Sequence, residues 1–430
     1  MESQNLDQGR SGRRNFLSAA TLGVAALAMA SGSRGEAQTA AKGPARATID
    51  PAHPDYKIVR VTATPVQSRD TFDFGGVRKP SVGVGVYVEV ETAGGLIGHG
   101  MTTIIDSVGT AALINGIAAP AMIGQSALDN EKIWEALYWR LSPRGQTGFS
   151  GHVIGACDIA LWDIKGKALG APIATLIGGA RPDVPVYVTF GPAFLDREEL
   201  VAVAKDMISR GYWSLKMVVG NNALPNRERV PMEEVVREDI ARVQAVRAAV
   251  GDKVHLHVDG NCSFDLPNAV RLASALKELD LDFFEEPITQ NDVRLMAELR
   301  RQTGIRIAAG QNEALSFRFR DMLLAEAVDF VQPNVMITSG YTHAIKVAGM
   351  AAAFNIGVHN GGAGALQNMH FHAGLANGGY CEWHLPWMGL NHRLYPDMPT
   401  PVKGRLAIPR APGLGFRADP AVVRELAMKG

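Results

Sequence analysis

Three polar side chains stand at equal steps along the chain: Asp259, Glu285 and Gln311, each 26 residues from the next. Each closes a short apolar run, HLHVD, LDFFE and RIAAGQ. Oxygen donors of this kind suit a hard divalent cation such as Mg²⁺. Between them, residues 268–279 and 292–301 carry apolar side chains at helical spacing, so the stretch 255–313 reads as strand, helix, strand, helix, strand. In a barrel of parallel strands the C-terminal strand ends converge on one face, where the chemistry sits. One acid after a strand would mean only that loops are polar, whereas three in register predict a metal site.

The same pattern extends in both directions. VPVYVTF (184–190) and WSLKMVV (213–219) precede the three runs, and DFVQPN, NIGVHNGG and GYCEWH follow them. Strand starts near 184, 213, 254, 281, 305, 329, 356 and 380 make eight. Lys216 lies near the end of the second strand, with Val218 one pleat further on the same face. Asn334, His359 and Glu382 fall at or just past the ends of the last three. His255 and His257 share the pleat face of Asp259 and are expected to pack and hydrogen-bond rather than to act as bases. The polar connection 221–239 reads as an insertion.

Ahead of the barrel, residues 57–180 read as an α+β domain. Strands over 57–66 and 82–91 are followed by a Gly-rich turn, AGGLIGHG, and by helices near 109–117, 127–141 and 152–169. Phe72, Asp73 and Phe74 are expected in a turn-rich link, either a loop that closes over a substrate or a plain surface loop. The barrel then spans 184–400, and residues 401–430 are expected to return to the first domain as a short strand and turn.

Composition excludes several classes. Forty-three basic residues balance 43 acidic ones, so there is no cationic excess for nucleic acid or an anionic membrane. Cys157, Cys262 and Cys381 form no CxxC pair and no disulfide framework. Residues 1–40 read as a twin-arginine export signal with a flexible lead: Arg13–Arg14, then Phe16–Leu17, then an apolar run from Ala19 to Ala30 too short to span a bilayer. The expected location is the periplasm, with no membrane attachment once the signal is removed.

The series WDIKGKALGAPIATLIGG, GYWSLKM, HVDGN, FFEEP, IAAGQNE, VQPN, VHNGG and CEWH resembles the enolase superfamily, in its mandelate racemase branch and closest to the acid-sugar dehydratases. The resemblance covers residues 57 to about 420. It implies a modified TIM barrel, (β/α)₇β, with an N-terminal α+β capping domain, and a homo-oligomer. It also implies one Mg²⁺, or Mn²⁺ in its place, that binds a small-molecule carboxylate substrate while a base removes the α-proton to give an enediolate. Residue by residue, Asp259 and Glu285 match metal ligands, Asn261 a neighbouring polar contact, and Lys216 a binder of the substrate carboxylate. His359 matches the base on the seventh strand, and Glu382 the group that donates to the enediolate.

Three departures from the family pattern narrow the reaction. Gln311 stands where the family has Glu, which removes a full charge from the metal site; Glu313, one pleat on, is the alternative third ligand. Asn334 replaces the Asp expected to partner His359, which leaves a hydrogen bond but no charge to stabilise imidazolium. Val218 replaces a second lysine, so one face of the substrate lacks a base. Racemisation needs a base on each face; a syn dehydration needs one acid/base group. The first reading is therefore a dehydratase that converts a sugar acid to a 2-keto-3-deoxy acid. The alternatives are a divergent epimerase or cycloisomerase on a related uronate or hydroxy acid, and a non-catalytic periplasmic sugar-acid-binding protein.

Overall fold

The computed structural model describes residues 49–220 and 230–428. The expected export signal and residues 221–229 of the expected insertion lie outside the described residues. No helix among the described residues is long and apolar enough to cross a membrane.

The first domain is a three-stranded antiparallel sheet, β1 (Ile58–Phe74), β2 (Val77–Thr92) and β3 (Ile97–Thr103), covered by helices Ser107–Leu113, Asn130–Gly145 and Phe149–Leu169. Alternating Val and Ala on β1 and β2 form the buried face. The long helix crosses β3 at closest approach: a Cβ on Gly100 would lie 1.9 Å from the Ala156 carbonyl oxygen. Only glycine allows that packing.

The expected link at Phe72–Phe74 is instead the end of a continuous hairpin. β1 runs to Phe74 and β2 starts at Val77, with Gly75 and Gly76 turning at positive φ. Phe72 is buried at a 5.9 Å ring separation from Phe194, and the Gly75 N–H donates to Asp206 on helix Arg197–Ser209. The hairpin is thereby pinned to the barrel wall rather than free to swing. Further back, Ser81 donates to the Pro386 carbonyl.

Eight parallel strands form the barrel: β4 (Asp183–Gly191), β5 (Ser214–Val218), β6 (His255–Asp259), β7 (Phe284–Glu285), β8 (Ile307–Ala309), β9 (Phe330–Val331), β10 (Gly357–Val358) and β11 (Cys381–His384). Their starts fall within three residues of those read from the sequence. They pair in order from β4 to β10, β11 pairs with β4, and the Asn360 N–H donates to the Tyr380 carbonyl at 2.9 Å, closing the ring. Helices such as Leu266–Ala275 and Val293–Thr303 begin at aspartate N-caps, Asp265 and Asp292, whose carboxylates accept from the first turn. The tail does more than return to the first domain. β12 (Arg405–Ala407) pairs antiparallel with barrel strand β4, and only its end reaches β1, through Met428 N–H to Pro65 O.

Candidate active site

Parallel register sets the site. Asp259 lies beside Val218 on one side and Glu285 on the other. Lys216, fully buried on β5, points among three carboxylates: Nζ is 2.9 Å from Asp259 Oδ2, 2.7 Å from Glu285 Oε2 and 3.0 Å from Glu382 Oε1. Burial opposes its charge, but these carboxylates outweigh that and raise its pKa well above the ordinary lysine value. Glu382 is further fixed by the Thr189 hydroxyl and by the Ala363 N–H at 2.8 Å; burial works against its ionisation, yet Lys216 holds its pKa below the usual carboxylate value. Burial, reinforced by Asp259, pushes Glu285 well upward. Three carboxyl groups thus share one ammonium inside the barrel.

Two acceptor oxygens there have no partner: Glu285 Oε1 and Gln311 Oε1 are buried and unbonded. Both face the space above Gly361, where a Cβ would lie 2.8 Å from Gln311 Oε1 and 3.0 Å from Glu285 Oε1. The buried amide of Gln332, also unpartnered, reaches within 3.0 Å of the same point. Gln311 is aimed by Glu286, whose Oε2 accepts from Gln311 Nε2 at 2.8 Å and from Asn312 at 2.7 Å. An amide whose nitrogen is held by a carboxylate presents its carbonyl oxygen on the other side. Burial pushes Glu286 itself up to about 7. Among the described residues no group of three His, Cys, Asp or Glu forms a metal site; the third candidate oxygen here is an amide. Two carboxyl groups and an amide oxygen nevertheless fit a hard divalent cation.

The structure corrects four expectations. Glu313 does not turn inward; its carboxylate pairs with Arg318 at 3.1 and 3.2 Å. Asn334 does not meet His359. Its amide nitrogen donates to the carbonyls of Gly361, Gly362 and Ala363, and its oxygen accepts from Met336 N–H and Asn368. His359 lies one pleat below the acids, where Phe330 packs at 4.3 Å and the Tyr380 N–H donates to Nδ1 at 3.1 Å. Burial depresses its pKa to about 3. The position level with the acids on that strand is Gly361. Finally, Lys216 is not in the pocket wall, and its three N–H groups are all taken by carboxylates.

His359 belongs to an aromatic ring that floors the site. Tyr187, His257, Phe283, Phe330, His359 and Tyr380 follow one another around the barrel at centroid separations of 4.2 to 6.2 Å, and the sixth returns to the first. Each stands two residues before a member of the upper layer: Thr189, Asp259, Glu285, Gln332, Gly361 and Glu382. That aromatic-x-polar repeat was present in the sequence and is the signal that distinguishes the two layers. His257 packs there as expected, 2.8 Å from Ser214 Oγ.

Above the acids opens a pocket of about 160 Å³. Its polar lining is Asp259, Asn261, Gln311, Asn312, Glu382 and His384, and its apolar lining includes Val218, Ile337, Trp387 and Ile104 from the first domain. Asn261, with its φ of 44°, turns the chain so that its N–H caps Asp259 Oδ1 at 2.9 Å. Among the residues missed in the sequence are Glu286, read as part of FFEEP without a separate role, and His384, read only as the end of CEWH.

Residues 58–178 match the mandelate racemase/muconate lactonizing enzyme N-terminal domain, and residues 199–422 the enolase C-terminal domain-like family. A 3,6-anhydro-alpha-L-galactonate cycloisomerase of Streptomyces coelicolor is 32% identical over 78% of this chain and 89% of its own. An arabinonate dehydratase of Saccharolobus solfataricus is 28% identical over 80% and 91%. Among solved structures, a racemase from Streptomyces coelicolor with bound magnesium superimposes with a TM-score of 0.76 at 28% identity, covering 86% of this chain and all of that one. Capping sheet, parallel barrel and sequence agree: the chain belongs to the mandelate racemase/muconate lactonizing enzyme family of the enolase superfamily, among acid-sugar dehydratases and cycloisomerases.

Proposed function

We propose that the protein is a divalent-metal-dependent lyase that removes the α-proton of a sugar-acid carboxylate and expels the β-hydroxyl, yielding a 2-keto-3-deoxy acid. The observation that carries this reading is the pair of unpartnered buried oxygens, Glu285 Oε1 and Gln311 Oε1, facing one point beneath a small polar pocket. Asp259, Glu285 and Gln311 would hold the cation. When bound, it supplies positive charge to a substrate carboxylate whose α-proton is otherwise too weakly acidic.

The chain's own residues provide the rest. Lys216 keeps three carboxylates together that would otherwise repel one another. Glu382, held by Thr189 and the Ala363 N–H, keeps one fixed orientation at the pocket floor. Asn261 and Asn312 offer hydrogen bonds to hydroxyl groups, and Ile104, Ile337 and Trp387 exclude water. Val218 leaves one face of the pocket without a proton-transfer group, which suits elimination better than racemisation.

A second reading has the β-oxygen leaving as part of a ring ether, as in a cycloisomerase. The 32% identity to a cycloisomerase favours it, and the α-proton step is the same. The test is to incubate the magnesium-loaded protein with aldonates, aldarates and anhydro-aldonates and to assay 2-keto acid formation. Turnover of open-chain acids supports dehydration, and turnover of anhydro acids alone supports ring opening. Binding without solvent exchange of the α-proton points to a binding protein. We also propose that residues 1–40 direct twin-arginine export. Changing Arg13 and Arg14 together to lysine then leaves the precursor in the cytoplasm, as read by fractionation.

A further inference from the structure

The elimination just proposed needs one group that takes the α-proton and returns it to the leaving oxygen. His359 cannot serve from the aromatic floor, and Gly361, level with the acids, has no side chain. Among the described residues lining the pocket, Glu382 and Asp259 are already engaged: Glu382 accepts from Thr189, Ala363 and Lys216, and Asp259 accepts from Lys216 and the Asn261 N–H. His384 differs. It stands two residues past Glu382 at the end of β11, one pleat nearer the pocket mouth, and it lines the pocket. Its Nδ1 is buried without any hydrogen-bond partner. A buried, unpartnered imidazole nitrogen is costly to retain unless something binds there.

We propose that His384 is the acid/base residue of this enzyme, standing in from the eighth strand for the imidazole that the seventh strand buries. The inference rests on the lyase reading above. In the step, the C2–H bond breaks, the proton passes to an imidazole nitrogen of His384, and the electron pair moves onto the carboxylate to form the enediolate. The pair then returns to form the C2–C3 double bond as the C3–O bond breaks. The departing oxygen takes the proton back from the imidazolium and leaves as water. The resulting enol becomes the 2-keto acid, so atoms and charge balance and His384 ends as it began. One acid/base group suffices for this step, and Val218, also in the pocket lining, offers no second one.

Two further features fit this role. Burial lowers the His384 pKa, with Lys216 acting the same way while Glu382 and Asp259 oppose it, so the ring is neutral and able to accept a proton. The segment that carries it is also rigid. Trp387 packs edge-on at 6.4 Å, and the next residue but one, Pro386, takes a hydrogen bond from Ser81 of the hairpin.

The test uses the full magnesium-loaded protein and a substrate found by the panel above. His384→Gln should lower α-proton exchange in D₂O by about 10²–10⁴-fold while magnesium binding, read by calorimetry, stays within twofold. In His384→Ala, added imidazole should restore part of the exchange. Exchange in His384→Gln at the wild-type level per folded molecule, with only a lower melting temperature, assigns the ring to packing and overturns the inference while the lyase reading stands. Wild-type protein that exchanges no α-proton on any acid of the panel overturns both.

Discussion

Two layers of side chains, one pleat apart, fill the same barrel and could hardly be more different. The lower is a closed ring of six aromatic and imidazole rings. The upper holds Lys216, Asp259, Glu285 and Glu382 in direct contact, with unbonded amide and carboxylate oxygens beside them. Both are buried, so burial does not mark function here. What separates them is the carboxyl groups and the ammonium, which only the upper layer holds. Rings in the floor meet other rings, and the His359 Nδ1 accepts a backbone N–H. The layer above carries more carboxyl groups than cations, with open oxygen lone pairs, which is what a site awaiting a cation and an anionic substrate looks like. The floor makes that possible by excluding water beneath the charges, so that each is felt more strongly.

The contrast can be broken at three points. The largest effect is expected at Lys216. Lys216→Met leaves three carboxylates facing one another and should cost about 3–5 kcal/mol of stability in metal-free protein, the usual result of removing one partner from a buried ion pair. Magnesium should recover part of the loss in chemical denaturation, and a variant as stable as wild type without metal would mean that the upper layer is not charged.

The floor should answer differently. His359→Leu leaves the Tyr380 N–H without an acceptor and should cost about 1–3 kcal/mol, with α-proton exchange per folded molecule preserved. It should also change the acid response. The folded pKa of His359, about 3, lies below the ordinary histidine value of 6.5, so its contribution is fully present above pH 6.5 and lost as pH falls from there towards 3. Over that window the wild type should lose more stability than the leucine variant, as read by melts at each pH. Loss of exchange in His359→Leu would return the base to the seventh strand.

The smallest effect sharpens the position of the cation. Gly361→Ala puts a methyl group against Glu285 Oε1, Gln311 Oε1 and the Gln332 amide. It should weaken magnesium binding about tenfold, within the range seen when surroundings of a metal site are altered, while leaving the fold intact. Calorimetry checks this, and unchanged affinity would place the cation elsewhere.

Much of this was legible in the residues. Apolar runs mark all eight strands, the last six of them ending in polar side chains, and Glu285 Oε1 and Gln311 Oε1 lie close to one point, with Asp259 beside Glu285 in register. The errors at Glu313, Asn334 and His359 share one physical cause, the extension of pleat alternation past the point where the strand stops. β8 ends at Ala309, and Gly310 turns at φ 117°, so Glu313 does not share a face with Gln311 and finds Arg318 instead. β9 ends at Val331, and Asn334 beyond it turns to cap the 361–363 loop. β10 is two residues long, and a glycine-rich run offers no alternation to say whether His359 or Gly361 lies level with the acids. The Phe72–Phe74 misreading is of another kind: aromatic and charged residues beside a Gly-Gly pair resemble a loop, and only Phe194, distant in sequence, makes them a docked hairpin.

The closing of the barrel also sets an order of events during synthesis. β4, the first barrel strand to be made, takes β11 as a neighbour on one edge and β12 as a further cover, with Val186 opposite Cys381 and Val184 opposite Leu406. Until those residues have left the ribosome, the nascent chain carries β4 with an unpaired edge, and Lys216 lacks Glu382 as a counter-charge. Long-range pairing of this kind is slow and leaves partly assembled barrels prone to association. The segment from β11 to β12 therefore decides both when the edge is sealed and when the site first exists.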